Sequence, residues 1–148
     1  MSLKNWADNG WLCAHKTSSQ EISNLFSIVD RDIHDAKAED AISDDWKFGI
    51  AYNAALKLCT ILLYASGYRP EKNMAHYRTL QSLSLILGDK RKADAEYLDK
   101  CRTKRNVVEY EYTGGASAND AEELKDFVLE LKEEVIQWLK KNRSDLLR

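Results

Sequence analysis

Apolar residues recur with helical spacing along most of the chain. Near the N-terminus they lie three, four, seven and eleven positions after Ile22, which is the period of an amphipathic helix. Near the C-terminus a narrower seam runs from Leu124 to Trp138 in steps of four and three, which favours a helix packed along another helix. Because no stretch alternates convincingly in the manner of a strand, the pattern predicts an all-α fold, a bundle of about five helices.

Capping residues and helix breakers set the predicted boundaries. Ser43 is a favourable N-cap, and the run that follows, 48–65, is apolar on nearly every side, as in the central helix of a bundle. Gly67 is expected to end this helix and Pro70 to prevent its continuation. An Asn119-x-x-Glu122 pattern resembles a capping box at the start of the last helix. The predicted helices span residues 17–38, 43–66, 74–87 and 89–112, and the last begins at 119.

Length and composition favour one folded domain. With 148 residues, 44% hydrophobic and 31% charged, the chain is typical of a globular protein and not of a disordered one. A single proline suits a few long helices better than a turn-rich β-sandwich. We therefore expect one domain over residues 1–148, made of an arm over 1–16, which Trp6 and Trp11 could pin down, and a bundle over 17–148.

The chain shows few signs of secretion, membrane insertion or metal binding. Its N-terminus has no continuous apolar segment of the kind found in signal peptides. The apolar run 48–65 contains Asn53 and Lys57, so a buried helix is expected rather than a membrane span. The three cysteines lack CxxC spacing, and the three histidines lack metal-ligand spacing. These observations predict a cytoplasmic protein with reduced thiols, no cofactor and no metal.

The formal net charge of −2 conceals an uneven distribution. Residues 17–47 carry eight acids and three bases, and residues 109–148 carry ten acids and six bases. Between them, residues 69–105 carry ten bases and five acids. The middle of the chain is therefore basic, and such a local field acts on partners even when the total charge cancels.

The densest group of polar side chains lies within residues 101–112. Closely spaced cations can bind phosphate, arginine in a bidentate manner, and tyrosine rings can stack on bases. This pattern predicts a surface that binds RNA or a nucleotide. The alternative is a solvated basic helix that pairs with the acidic first helix. The candidate binding residues of this segment are Arg102, Lys104, Arg105, Asn106, Tyr110 and Tyr112.

Two further polar residues lie near the connection before the third helix. Arg69 is within that connection and His76 opens the helix, so both could flank the same cleft. A structural histidine at a helix end is the alternative for His76. In the apolar second helix, Asn53 is expected to hydrogen-bond a neighbouring backbone group or the polar segment, because buried amides need partners.

These segments together resemble a HEPN domain (higher eukaryotes and prokaryotes nucleotide-binding). The resemblance implies a four- or five-helix up-and-down bundle that commonly forms a homodimer. Many HEPN domains are metal-independent ribonucleases, in which an arginine is followed four to six residues later by a histidine and the two residues meet across the dimer axis. The matching segments, which occur in the family's order within residues 22–139, are Ser43–Ala55, Ala65–Pro70, His76–Leu80 and Arg102–Tyr110.

The chain departs from the family at the motif histidine. Arg105 and Asn106 fit the start of the motif, but Tyr110 stands where the histidine is expected, and Tyr112 fits the tyrosine of an Arg-x4-His-x-Tyr variant. A tyrosine with a pKa of about 10 is a poor base at neutral pH, whereas a histidine with a pKa of about 6.5 is a good one. The departure therefore implies weak or absent catalysis, unless His76 lies close enough to substitute.

The residues and the resemblance leave three hypotheses open. The first is an atypical HEPN protein that binds RNA or a nucleotide through the basic segment. For this protein, family resemblance implies a toxin–antitoxin or defence setting, with a small nucleotidyltransferase as a candidate partner. The second is a metal-independent ribonuclease that uses Arg105 with His76 or Tyr110. The third is a helical module that binds other proteins and has no nucleic-acid role. None of the three involves a membrane.

Overall fold

The described chain is a bundle of long helices with one small antiparallel sheet. The computed structural model describes residues 1–37, 43–110 and 114–147, and the side chains in these ranges except at 108–110. The all-α bundle predicted from the apolar pattern is confirmed. The elements are α1 (Leu3–Asp8), β1 (Leu12–Ala14), α2 (Ser19–Ala36), α3 (Asp44–Ala65), β2 (Tyr68–Pro70), α4 (Ala75–Leu87), α5 (Lys92–Tyr110) and α6 (Ala118–Asn142), with short 3-10 helices at Asp89–Arg91 and Ser144–Leu147.

Helix α3 lies at the centre of the bundle because it is apolar around its whole circumference. Successive residues such as Leu58, Cys59 and Ile61 face different directions, yet all three are fully buried. Helices α2, α4, α5 and α6 all pack against α3. Among the described helices, α3 is also long and apolar enough to cross a membrane by length and composition. However, 67% of its most apolar window is buried inside the bundle, as in the core helix of a soluble protein.

Contacts between helix ends show that α3 and α6 run parallel. The Asp45 carboxylate, at the start of α3, accepts hydrogen bonds from the backbone N–H groups of Gly114 (2.6 Å) and Ala116 (3.0 Å), just before α6. At the opposite end of the bundle, the Arg143 guanidinium donates to the carbonyl oxygen of Ala65, 2.7 Å away. The two ends of α3 are therefore tied to the corresponding ends of α6.

The remaining directions follow from ion pairs along α5. Arg91, just before α5, pairs with Glu134 of α6, and Lys104 near the other end pairs with Asp120 at the start of α6. Helix α5 is thus antiparallel to α6. Helix α4 leads into α5 through a tight turn and begins beside Arg102, so α4 runs in the same direction as α3. The up-and-down alternation implied by the family resemblance is therefore interrupted once, between α3 and α4.

The sheet lies where this interruption occurs. Strand β1 pairs antiparallel with β2, in a register that places Leu12 opposite Pro70 and Ala14 opposite Tyr68. No strand was expected, and the connection 68–73 was predicted to be a loop, so this part of the prediction is wrong. Three residues per strand are too few to show an alternating pattern, and a proline argues against a strand unless it lies at an edge.

The N-terminal arm is pinned to the bundle through this sheet. Trp6 is 7% exposed and packs in a small cluster with Leu12 and Leu63 of α3. Trp11 packs edge-to-face against Trp6, with 6.0 Å between ring centroids. Its carbonyl oxygen accepts a hydrogen bond from the Glu71 N–H, 3.0 Å away. The two tryptophans hold the arm as their positions suggested.

Serine side chains cap three of the long helices. Ser43 caps α3, as the sequence predicted, and Ser18 caps α2. The capping box of α6 is formed by Ser117 and Asp120, not by Asn119 and Glu122 as expected. Ser117 accepts from the Asp120 N–H at 3.0 Å, and the Asp120 carboxylate accepts from the Ser117 N–H at 2.9 Å. Serine and aspartate provide the same reciprocal bonds as the predicted pair, two residues earlier in the chain.

Candidate anion-binding site

A solvent-facing pocket of about 360 Å³ lies where α4 begins beside α5. The start of α4 forms one wall, and a side chain from the second half of α5 forms the other. The segment before α4 contributes a lysine at the rim. The pocket is lined by Lys72, Met74, Ala75, His76, Tyr77 and Arg102.

The backbone at the start of α4 makes this pocket favourable for an anion. Met74 occupies the left-handed region, with φ 57° and ψ 32°, which is uncommon for a residue other than glycine. Its side chain makes no capping hydrogen bond, so within the described ranges the first N–H groups of the 13-residue α4 lack an N-cap acceptor. Those groups carry the positive end of the helix dipole, and anions bind readily there.

Three positive charges from two helices, α3 and α5, act on His76. The residue as a whole is exposed at the rim, but neighbouring atoms crowd its imidazole, and this partial burial is the largest cause of its lowered pKa. The charges of Arg105, Lys57 and Arg102 lower the pKa further, in that order. His76 is therefore held largely neutral at pH 7, beside cations that a bound anion would neutralise.

Arg102 is oriented by two contacts, one on each side of its guanidinium. Its Nε donates to the Asp99 carboxylate one turn earlier, 2.8 Å away. Its Cζ lies 5.9 Å from the centroid of the Tyr77 ring. Asp99 thus offsets part of the positive charge while it fixes the side chain at the pocket wall.

Arg105 lies one turn further along α5, over the N-terminal half of α3. Its Cζ is 5.9 Å from the ring centroid of Tyr52, and its Cγ packs close to Gly49. The Tyr52 hydroxyl is buried and has no hydrogen-bond partner among the described atoms. Burial raises the pKa of Tyr52 strongly, although the charges of Arg102 and Arg105 oppose that effect. Tyr52 is therefore a neutral ring beneath Arg105.

The cations of the basic segment, which are close together in sequence, point to different faces of α5 in the structure. Arg102 and Arg105, three residues apart, share the face of α5 toward α3 and α4. Lys104 faces α6 instead and pairs with Asp120 at 2.7 Å. Asn106 is exposed and meets Arg105 only at a long 3.5 Å. The prediction that Lys104 joins the arginines in one site is not supported by this arrangement.

Of the three other candidate residues, one lies away from the pocket and two have side chains outside the residues that the structure describes. Arg69 is exposed on β2 opposite Cys13, and its charge acts on Tyr64, near the far end of α3. It does not flank the same cleft as His76. Tyr110 is the last residue of α5, and its side chain lies outside the described residues. Tyr112 also lies outside them.

Several residues of the site were missed by sequence reasoning. Lys72 and Tyr77 line the pocket, and Lys57 acts on His76 from α3. A lysine interrupting an apolar helix is a usable signal, because a buried helix tolerates it only where its amine reaches solvent. No signal in the sequence identifies Lys72, since its place depends on how the chain crosses back before α4.

A second polar cluster explains Asn53. Its Nδ2 donates to Oδ2 of Asp32 on α2, 2.7 Å away, and Asp32 is 4% exposed. Arg31 donates to the other carboxylate oxygen through Nε at 3.1 Å and Nη2 at 2.9 Å. The amide was predicted to bond backbone or the basic segment, and its partner is instead an acidic side chain. This cluster joins α2 to α3.

Within the described residues, no group of three histidine, cysteine or acidic side chains is arranged to hold a metal ion. The three cysteines are free thiols. Complete burial raises the pKa of Cys59 to about 12.

Compared with protein-family models, curated proteins and solved structures, the chain matches none of them.

Proposed function

We propose that this protein binds the phosphate groups of RNA or of a nucleotide in the pocket at the start of α4. The observation that carries the proposal is the convergence of Lys72, His76 and Arg102 on the uncapped first turn of one helix. Arg105 and Lys57 add positive potential from neighbouring elements. A phosphate placed there would receive backbone and side-chain donors together, which is the usual combination in phosphate sites.

The HEPN resemblance adds to this proposal a family, an oligomeric state and a cellular setting. It supports an atypical member of that family that acts as a homodimer in the cytoplasm, in a toxin–antitoxin or defence setting. A small nucleotidyltransferase remains the candidate protein partner. The pocket differs from the site implied by the resemblance, since its polar side chains come from the start of α4, the segment before it and one face of α5.

The proposal is tested by comparing two cations of the same helix. Arg102→Gln should weaken binding of a labelled single-stranded RNA by about tenfold and reduce the slope of log K against log salt by about 0.7. Lys104→Gln should change affinity much less, because its charge is already paired with Asp120. Fluorescence anisotropy over a salt series measures both, with circular dichroism to confirm folding.

Equal effects of the two substitutions would contradict the pocket and favour a diffuse basic surface. No effect of either would favour the third hypothesis, a helical module that binds proteins. The paired substitution of Arg105 and Asn106 by alanine tests the contribution of the segment named by the family motif. It should also reduce affinity, because Arg105 contributes to the potential at His76.

A second candidate function is metal-independent RNA cleavage, which the lowered pKa of His76 favours. A largely neutral imidazole can accept the 2′-hydroxyl proton at pH 7, and the freed oxygen can then attack the adjacent phosphorus. The bond from phosphorus to the 5′-oxygen breaks as the new bond forms, and the leaving oxygen takes a proton from the imidazolium or from water. Arg105 would stabilise the charge that develops on the phosphate oxygens. Labelled RNA incubated in EDTA tests this activity. Cleavage lost in both His76→Gln and Arg105→Ala supports it, and no cleavage between about pH 6 and about pH 9 excludes it.

A further inference from the structure

Arg78 extends the cationic surface beyond the pocket. Its guanidinium carbon lies 3.8 Å from the centroid of the Trp11 ring, a stacking distance, and 5.6 Å from that of Trp6. It also lies 5.6 Å from the ring centroid of Tyr77, which lines the pocket. The side chain therefore joins the N-terminal arm to the pocket wall.

The stacked guanidinium keeps its hydrogen-bonding edge for a ligand. A cation–π contact uses the flat face of arginine, whereas its five N–H donors lie in the plane. Within the described part of the chain, Arg78 has ring contacts but no hydrogen bond or ion pair to a carboxylate. In Arg102, by contrast, the Nε–H group already donates a hydrogen bond to Asp99. Arg78 is thus a pre-oriented cation whose charge has no acidic partner there.

Cations and rings alternate in one row across this face. Arg102 and Arg78 both lie near the ring of Tyr77, at 5.9 and 5.6 Å from its centroid, and Arg78 also lies against the ring of Trp11. All four residues are partly exposed. Alternation of phosphate-binding cations with rings is the pattern by which proteins bind single-stranded nucleic acid, because bases stack while the backbone follows the charges.

We propose that the ligand is a single-stranded oligonucleotide that runs from the pocket across Tyr77 to Arg78 and Trp11. This inference rests on the proposed function, because the pocket holds the first phosphate. A free nucleotide fills only the pocket, whereas a longer strand places a base at Tyr77 and a second phosphate at the edge of Arg78. The row named by the inference is Arg102, Tyr77, Arg78 and Trp11.

The test compares two ligands on three variants. The probes are a labelled single-stranded RNA of about eight nucleotides and a fluorescent ATP analogue. Arg78→Gln should weaken binding of the RNA by about tenfold and leave binding of the nucleotide unchanged. Arg102→Gln should weaken both. Lys140→Gln, an exposed lysine near the end of α6, should change neither.

A structural role for Arg78 is separated by two further measurements. Arg78→Lys keeps the charge but loses the planar stack, so it should recover only part of the affinity for RNA. Thermal melting of each variant reports whether the arm has loosened. If Arg78→Gln weakens both ligands equally, the residue only supports the pocket and the inference is overturned.

The failures of the two proposals are distinguishable. If Arg78→Gln changes neither ligand while Arg102→Gln weakens both, the row is wrong and the pocket stands. If the nucleotide binds as tightly as the RNA, the ligand does not extend beyond the pocket and the row is also wrong. If neither probe binds the unaltered protein, the phosphate pocket itself fails.

Discussion

Asp99 partly offsets the positive potential that Arg102 produces in the pocket. The carboxylate accepts a hydrogen bond from Nε of Arg102 at 2.8 Å, and both side chains are about equally exposed, at 29%. Such a partly exposed i,i+3 pair contributes little to stability. It does cancel positive potential beside the site. Asp99 therefore lowers affinity for an anion while it keeps the guanidinium in place.

Removing this carboxylate should strengthen binding. Asp99→Asn keeps an acceptor for Nε of Arg102 but removes the negative charge, so we expect the affinity for single-stranded RNA to rise by about two- to fivefold at low salt. Anisotropy titrations at low and high salt measure the effect, which should shrink as salt screens the charge. A loss of affinity at both salt concentrations would show that the aspartate, not its charge, organises the site.

The lowered pKa of His76 makes binding sensitive to pH. In the free protein the pKa lies below 6.5, and a phosphate bound beside the imidazole favours its protonated form. Binding therefore takes up a proton, and we expect affinity to rise as the pH falls from about 7.5 to about 5.5. Titrations at several pH values should show this rise in the unaltered protein and its loss in His76→Gln.

The same histidine has the opposite effect on stability without ligand. Its folded pKa is depressed, so the unfolded chain binds the proton more readily below pH 6.5. The contribution of the neutral His76 to the free energy of unfolding is fully present above that pH. It is lost as the pH falls through the pKa that His76 has in the folded protein. A flat affinity profile together with this stability profile would place His76 outside the ligand contact.

At the scale of elements, the side chain of Asp45 holds the start of α3 beside the start of α6. Asp44 and Asp45 both lie in the first turn of α3, where the helix dipole favours acids. Only Asp45 reaches further, to the N–H groups of Gly114 and Ala116. That carboxylate fixes the approach to α6, and with it the parallel arrangement of the two helices.

Asp45→Ala should therefore cost far more than Asp44→Ala. Two hydrogen bonds from backbone donors to a charged acceptor are lost, and we expect about 2–3 kcal/mol less free energy of unfolding. Asp44→Ala removes only a favourable charge from the same helix end and should cost about 0.5 kcal/mol. Urea denaturation measures both. Similar losses in the two variants would mean that the bonds to the loop contribute little.

The long helices were predictable because each carries its own signal. Ser18 caps α2, whose apolar period is clear, and Ser43 caps α3, which is apolar all round. The strands were not predictable, since each has three residues and their pairing joins segments more than fifty positions apart. For the site, Arg102, Arg105 and His76 were identified by residue type. Their proximity depends on α4 running parallel to α3, which no local pattern encodes.

At the scale of the molecule, charge is divided among the helices. The basic middle of the sequence folds as the pair α4 and α5, whereas the acidic ends supply α2 and α6. Ion pairs such as Arg91 with Glu134 and Lys104 with Asp120 form where α5 meets α6. Arg102 and Arg105 lie on the other face of α5, beside Tyr77 of α4 and Tyr52 of α3.

The N-terminal arm should stabilise the whole molecule through Trp6. This ring is 7% exposed, so Trp6→Ala should lower the free energy of unfolding by about 3–5 kcal/mol. Trp46 is 61% exposed and provides a control of the same size, with an expected cost within about 0.5 kcal/mol. Chemical denaturation compares the two. Equal costs would show that the arm is not part of the cooperative unit.

The central position of α3 in the bundle has a consequence for how the chain is made. Its apolar surface is covered partly by α6, through Leu124, Val128, Leu131, Val135 and Leu139, all of which are synthesised after it. A nascent chain therefore carries a long apolar helix with one side uncovered until α6 has left the ribosome. During that interval α3 presents the kind of surface that chaperones bind and that aggregates form around. Folding of this bundle is thus expected to be completed only once α6 has been synthesised.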